Sequence, residues 1–273
     1  MNTSHDLSDH RAVLAALVEG VPPMRPERRW QWLPHGPDAL DLIIKDAPAP
    51  GARGIDNRLA ALSCGAELHR VIAELAAEGW TTAVTRRPHR ARPFRLATMH
   101  IAPGTPAGGP APHGLPGSVT AHPGRRSDPD RPVASDVLQV LSSAVEGADT
   151  KLFVLSDVQV YDLVAATKSA DGDGDLGVTP HRPSSADDPT VPTMDTAFAI
   201  LYGPDDRLRT WLRAGEGFAA GCLATAGLGV SILPLTDTME NAGTRENVRQ
   251  LLPGPGHPCL IIQVGPRTTV RPA

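Results

Sequence analysis

The chain has 273 residues, of which 28 are Pro and 26 Gly, while only 10 are aromatic. Its 26 Lys and Arg against 30 Asp and Glu leave a net charge of −4, which disfavours a generic nucleic-acid binder, since such domains are usually basic. No stretch approaches the roughly 18 apolar residues of a membrane span, and the polar opening MNTSHDLSDH lacks the apolar core of a signal peptide.

Residues 8–19 read as a helix, with Ser8 as cap and Val13, Leu14, Leu17 and Val18 as the apolar stripe. Residues 57–78 make a long helix whose Leu68, Val71, Ile72, Leu75 and Ala76 recur with the period of one buried face. Gly79 follows where a C-cap glycine belongs. The run Arg86, Arg87, Arg90, Arg92, Arg95 reads as a solvated or anion-facing loop, and residues 94–101 as a strand. Residues 102–124 then hold 12 Pro and Gly in 23 positions and read as a long connection.

The second half repeats the plan. Residues 135–145 and 156–167 suggest helices, each with a Ser in capping position. KLFVL at 151–155 and AFAILY at 197–202 suggest buried strands. Between them, residues 169–193 carry five Asp and seven Pro or Gly and read as an acidic loop. A second long helix runs over about 206–226, with Gly227 and Gly229 ending it; a short helix is expected at 245–252 after Thr244, and CLIIQV at 259–264 is the last strand. Aligned on Gly79 and Gly229, the two long helices share Gly65 with Gly215 and Ala76 with Ala226. The shared order of elements is the stronger argument for an internal duplication.

Motifs of side-chain chemistry are sparse. Asp171, Asp173 and Asp175 imitate the start of a calcium loop, but Leu176 and Arg182 stand where Gly and a bidentate carboxylate are needed. Cys64, Cys222 and Cys259 form no CxxC pair and no zinc spacing, and read as small buried residues of a reduced, cytoplasmic protein. No metal site and no catalytic side chain is expected. Gly215, Gly217 and Gly221 lack the spacing of a dinucleotide fingerprint and read as positions of close helix packing. Arg125, Arg126, Arg267 and Arg271 have the fork geometry that suits phosphate.

RLAALSCGAELHRVIAELAAEGW, LRTWLRAGEGFAAGCLATAGLGVSILPL, GHPCLIIQVGPRTTVRP and the arginine-rich HPGRRSDPDRP together resemble the actinobacterial Acg family of FMN-binding, nitroreductase-like proteins. The resemblance covers roughly two-thirds of the chain. It implies an α+β, nitroreductase-like fold in which two half-repeats form a pseudo-dimer with FMN between them. The halves would be 1–101 and 133–273, joined by the Pro/Gly/Arg-rich connection 102–132. It also implies a cofactor-binding set of Trp30, Arg125, Arg126, Arg213, Gly227, Gly229, Arg267 and Arg271. In this set the glycines let the backbone approach the flavin, and Arg267 or Arg271 grips its phosphate.

The chain departs from the family where the flavin ring should be read. Family members carry A-P-S-x-H-N-T-Q-P-W near the N-terminus, and this chain has Val21-Pro22-Pro23-Met24-Arg25-Pro26-Glu27-Arg28-Arg29-Trp30. Pro23, Pro26 and Arg28 replace the Ser, Asn and Gln of that element, and a proline brings neither a polar side chain nor a backbone N–H. Between Lys168 and Met194 the acidic loop replaces a longer helical cover, which leaves a bound flavin exposed or lost. The implied function is a degenerate, stress-related protein that binds or sequesters FMN, or another small phosphorylated ligand, without efficient turnover. The alternative is an active FMN-dependent NAD(P)H oxidoreductase acting on quinones or nitro compounds. The implied state is a monomeric pseudo-dimer or weak homodimer, with no nucleic-acid or membrane partner.

Overall fold

A computed structural model of the chain describes residues 29–36, 38–45, 55–86, 94–104, 133, 135–168 and 196–266. Its first part runs β1 (Trp30–Pro34), β2 (Ala39–Ile44), α1 (Ile55–Ala77), β3 (Trp80–Arg86) and β4 (Arg95–Pro103). Its second part runs α2 (Ser135–Glu146), β5 (Lys151–Val154), α3 (Asp157–Lys168), β6 (Ala197–Gly203), α4 (Leu208–Thr225), β7 (Val230–Leu235), a 3-10 turn at Asp237–Met239, α5 (Ala242–Arg249) and β8 (His257–Pro266). The fold is mixed α and β. The strands form two antiparallel sheets, ordered β1-β2-β4-β3 and β5-β6-β8-β7, so the two sheets have the same connectivity.

The two long helices end alike. Gly79 and Gly229 both take positive φ, +89° and +73°, a region in which a Cβ is strained. Each turns the chain straight into the edge strand of its sheet, β3 from Trp80 and β7 from Val230. The expected helices 57–78 and 206–226 are therefore α1 and α4 with slightly shifted bounds. The helices expected at 135–145 and 156–167 and the strands expected at 151–155, 197–202 and 259–264 also appear. The strand expected at 94–101 runs on to Pro103. The short helix starts earlier than expected, at Ala242, because the Asn241 side chain accepts from Gly243 N (2.7 Å) and Thr244 N (3.4 Å) and so supplies the cap. Strands β1, β2, β3 and β7 were not expected from the sequence. The expected helix 8–19, the loop 169–193 and nearly all of 102–124 lie outside the described residues.

One apolar core joins the inner faces of both sheets to α1, α2 and α4; it runs from Trp30 and Trp32 through Leu62, Leu68, Leu141 and Trp211 to Leu260 and Val264. A second core belongs to the second sheet alone. There Phe198, Ile200 and Ile261 on the outer face meet Leu163 of α3 and Val248 of α5. In the first sheet the same face carries Asp41, held by Arg95 Nη2 at 3.0 Å, Thr98 Oγ1 at 2.7 Å and His35 Nδ1 at 3.3 Å.

Candidate functional site

The two parts of the chain meet where α1 crosses α4, and two glycines set the distance. A Cβ on Gly65 would lie 1.9 Å from the carbonyl oxygen of Leu212, and one on Gly215 would lie 1.9 Å from that of Leu62. The contact is reciprocal. Gly65 and Gly215, Leu62 and Leu212, and Ala66 and Glu216 are each 150 positions apart, as are Gly79 and Gly229. Backbone therefore touches backbone, and any larger residue at either glycine would separate the helices. Gly217 faces Thr150 and Val145, and Gly221 faces Leu141, which agrees with close helix packing at all three positions.

A charged cluster lies beside this crossing. Arg86, at the end of β3, donates from Nε to Glu216 Oε1 at 2.7 Å and from Nη2 to Oε2 at 2.5 Å. Arg213 Nη1 donates to the same Oε2 at 3.2 Å, and its Nη2 donates to Asp149 Oδ2 at 2.7 Å. The Glu216 side chain is only 4% exposed, against 79% for Asp149. Asp149 itself adopts φ +55° in the turn before β5. Burial, with the nearby Arg86 charge, lowers the imidazole pKa of His69 on α1 below its ordinary range, although Glu216 pulls it up. A second tie joins α1 to the turn before α4: Arg58 donates from Nε at 2.8 Å and from Nη2 at 2.6 Å to the Asp206 carboxylate, which also accepts from Trp211 Nε1 at 2.8 Å.

The expected cofactor residues are spread out. Arg213 lies in the cluster with two carboxylates on its guanidinium. Gly227 and Gly229 lie beyond the C-terminus of α4, about 14 residues and roughly 20 Å further along the axis. A Cβ built on either meets nothing within 4 Å, and Leu228 between them is 46% exposed. Trp30 is buried in the main core at the start of β1. Arg125, Arg126, Arg267 and Arg271 lie outside the described residues. Among the described residues, the expected set does not converge on one cradle.

Arg86, Glu216, Asp149 and His69 were not singled out as site residues. In the sequence Arg86 is only the first member of an arginine run. Glu216 carried the better signal: a lone acid between Gly215 and Gly217, one position from a close-packed face. The three cysteines are buried and unbridged, and burial raises their thiol pKa values, that of Cys222 to about 12, so they are inert near neutral pH. Among the described residues no group of three or more His, Cys, Asp or Glu could hold a metal ion, and no helix is long and apolar enough to cross a membrane.

No protein-family model matches the sequence. Two curated proteins from Mycobacterium tuberculosis, of strains CDC 1551 and H37Rv, do match. They are named "Putative NAD(P)H nitroreductase MT3217" and "Putative NAD(P)H nitroreductase Rv3131". Each is 25% identical over 308 aligned positions, covering 97% of this chain and 87% of the relative. Neither name carries the narrower Acg designation. The chain is thus similar to nitroreductase-like proteins over nearly its whole length.

Proposed function

We propose that this chain is a nitroreductase-like protein whose two half-repeats, 1–101 and 133–273 with the connection 102–132, take the place of two subunits. We further propose that it holds FMN without efficient turnover. The observation that carries the reading is the match, across 97% of the chain, to two proteins named "Putative NAD(P)H nitroreductase". The pseudo-dimer is supported by the shared strand order of the two sheets and by the reciprocal contacts of Gly65 and Gly215. The weak turnover is argued from Pro23, Pro26 and Arg28, which remove hydrogen-bonding groups where the Acg family reads its flavin.

In such a protein the flavin supplies the electron transfer, and the polypeptide supplies binding and orientation. Arg213 is neutralised by Glu216 and Asp149, so the phosphate grip falls to Arg125, Arg126, Arg267 or Arg271. A flavin held by its phosphate and unread at its ring would stay bound while being poorly poised for hydride transfer.

The purified protein tests this through its visible spectrum. The expected result is a flavin absorbance band, as isolated or after addition of FMN, that changes little with excess NADPH. Rapid bleaching by NADPH with reduction of a quinone or nitro compound would replace this reading with the active oxidoreductase. A protein that is colourless and does not bind added FMN would defeat both.

A further inference from the structure

The crossing of α1 and α4 is reciprocal in its backbone but not in its charges. With the 150-position correspondence set by Gly65 and Gly215, Glu216 matches Ala66, Arg213 matches Ser63, Arg86 matches Thr236 and His69 matches Ala219. On the Ala66 side the helices approach just as closely without an ion pair between these positions. The charged cluster is therefore not what brings the helices together. Burying it also has a cost, since a buried ion pair is often no more stabilising than apolar side chains of equal volume.

The two carboxylates of the cluster sit in different surroundings. Two guanidiniums, 24% and 16% exposed, converge on one carboxylate that is 4% exposed. The other carboxylate, Asp149, is 79% exposed and accepts from Arg213 Nη2 at 2.7 Å. Arg213 Nε is buried and has no hydrogen-bond partner among the described residues, so this guanidinium has a donor to spare. Paired arginine forks from two directions are the geometry by which proteins grip carboxylates and phosphates.

We infer that Arg86 and Arg213 form an oxyanion-binding site between the two halves, occupied in this chain by its own Glu216 carboxylate. The site takes a carboxylate or phosphate group, and Glu216 keeps external anions out. This does not depend on flavin binding; it rests only on the correspondence of the two halves.

Emptying the site from inside tests the assignment. Glu216→Ala leaves two part-buried guanidiniums without their carboxylate, so the variant should melt well below the wild type. Inorganic phosphate should then raise its melting temperature with the logarithm of its concentration, by about 5 °C at a concentration roughly a hundredfold above its dissociation constant. Chloride at matched ionic strength should not reproduce the rise, and the wild type should not show it. Adding Arg86→Gln to Glu216→Ala should abolish this rise.

A Glu216→Ala protein that folds but shows no phosphate response, or an equal response in the wild type or the double variant, overturns the assignment. Should Glu216→Ala fail to fold, Glu216→Ser is measured in the same way. Failure of both to fold even in phosphate overturns it as well, because an oxyanion in the site would replace the lost carboxylate. A negative FMN titration alongside a positive phosphate response would sink the flavin reading and leave this one standing.

Discussion

Gly65 and Gly215 are the residues on which the assembly of the chain turns. The missing Cβ at each is what allows the carbonyl of Leu212 or Leu62 to sit where it does. The obstacle is backbone on both sides, so no side chain can rotate away. Gly65→Ala and Gly215→Ala should each cost about 3 kcal/mol or more, the upper range for overpacking a dense core, read by chemical denaturation. Because the contact is reciprocal, the two losses should be similar, and a mild loss at either site would contradict the tight crossing. The pair of glycines was visible in the sequence through the alignment of the two helices. Glu216 stands out only as a lone acid between two glycines; its pairing with Arg86, 130 positions away, has no local signature. Gly227 and Gly229 drew attention as glycines, yet the built Cβ positions stand in open space, and at Gly229 it is the positive φ that asks for glycine.

Among the elements, the helices were legible and half of the strands were not. A stripe at 3.6 residues runs for several turns in α1 and α4 and can hardly be mistaken. Edge strands β1, β3 and β7 bury only part of each side chain row, with an alternating pattern in β3. Pro234 within β7 argued further against a strand, and its edge position is what tolerates a residue with no N–H to donate.

The ties between elements carry a pH signature that the sequence could not show. Burial tends to raise the Asp206 carboxyl pKa, but the hydrogen bonds from Arg58 and Trp211 outweigh it and hold the pKa below the ordinary carboxylate range. A carboxylate whose folded pKa is depressed stabilises the fold above its unfolded pKa and loses that contribution as pH falls through the folded value. Asp206→Asn should therefore lower stability at pH 6. The gap to the wild type should narrow below about pH 4, near the unfolded carboxylate pKa. A gap that stays constant from pH 6 to pH 3 would mean that Asp206 acts through shape alone.

At the scale of the whole molecule, the described residues form two sheets of one strand order but very different surroundings. The second sheet is packed on both faces, because α3 and α5 cover its outer side with a core of their own. The first sheet meets a polar network of Asp41, Arg95, Thr98 and His35 on that side. Its apolar burial among the described residues therefore comes from the shared core, where Leu62, Cys64 and Leu68 of α1 lie with Leu212, Phe218 and Cys222 of α4. Removing the second half would return that face of α1 to water, at about 25 cal/mol for each Å² of apolar surface uncovered, and would sever the ties of Arg58 and Arg86. A chain of residues 1–104 should then lack a cooperative thermal transition by circular dichroism, whereas the full chain should unfold in a single step through the core that both parts share. Residues 133–273 should keep more structure, because the second core lies wholly within them. Mixing the two pieces should restore helical signal and a cooperative melt. A first half that melts alone as sharply and as high as the full chain would show that α1 can satisfy its buried face without α4, and the two parts would then be neighbours rather than one folding unit.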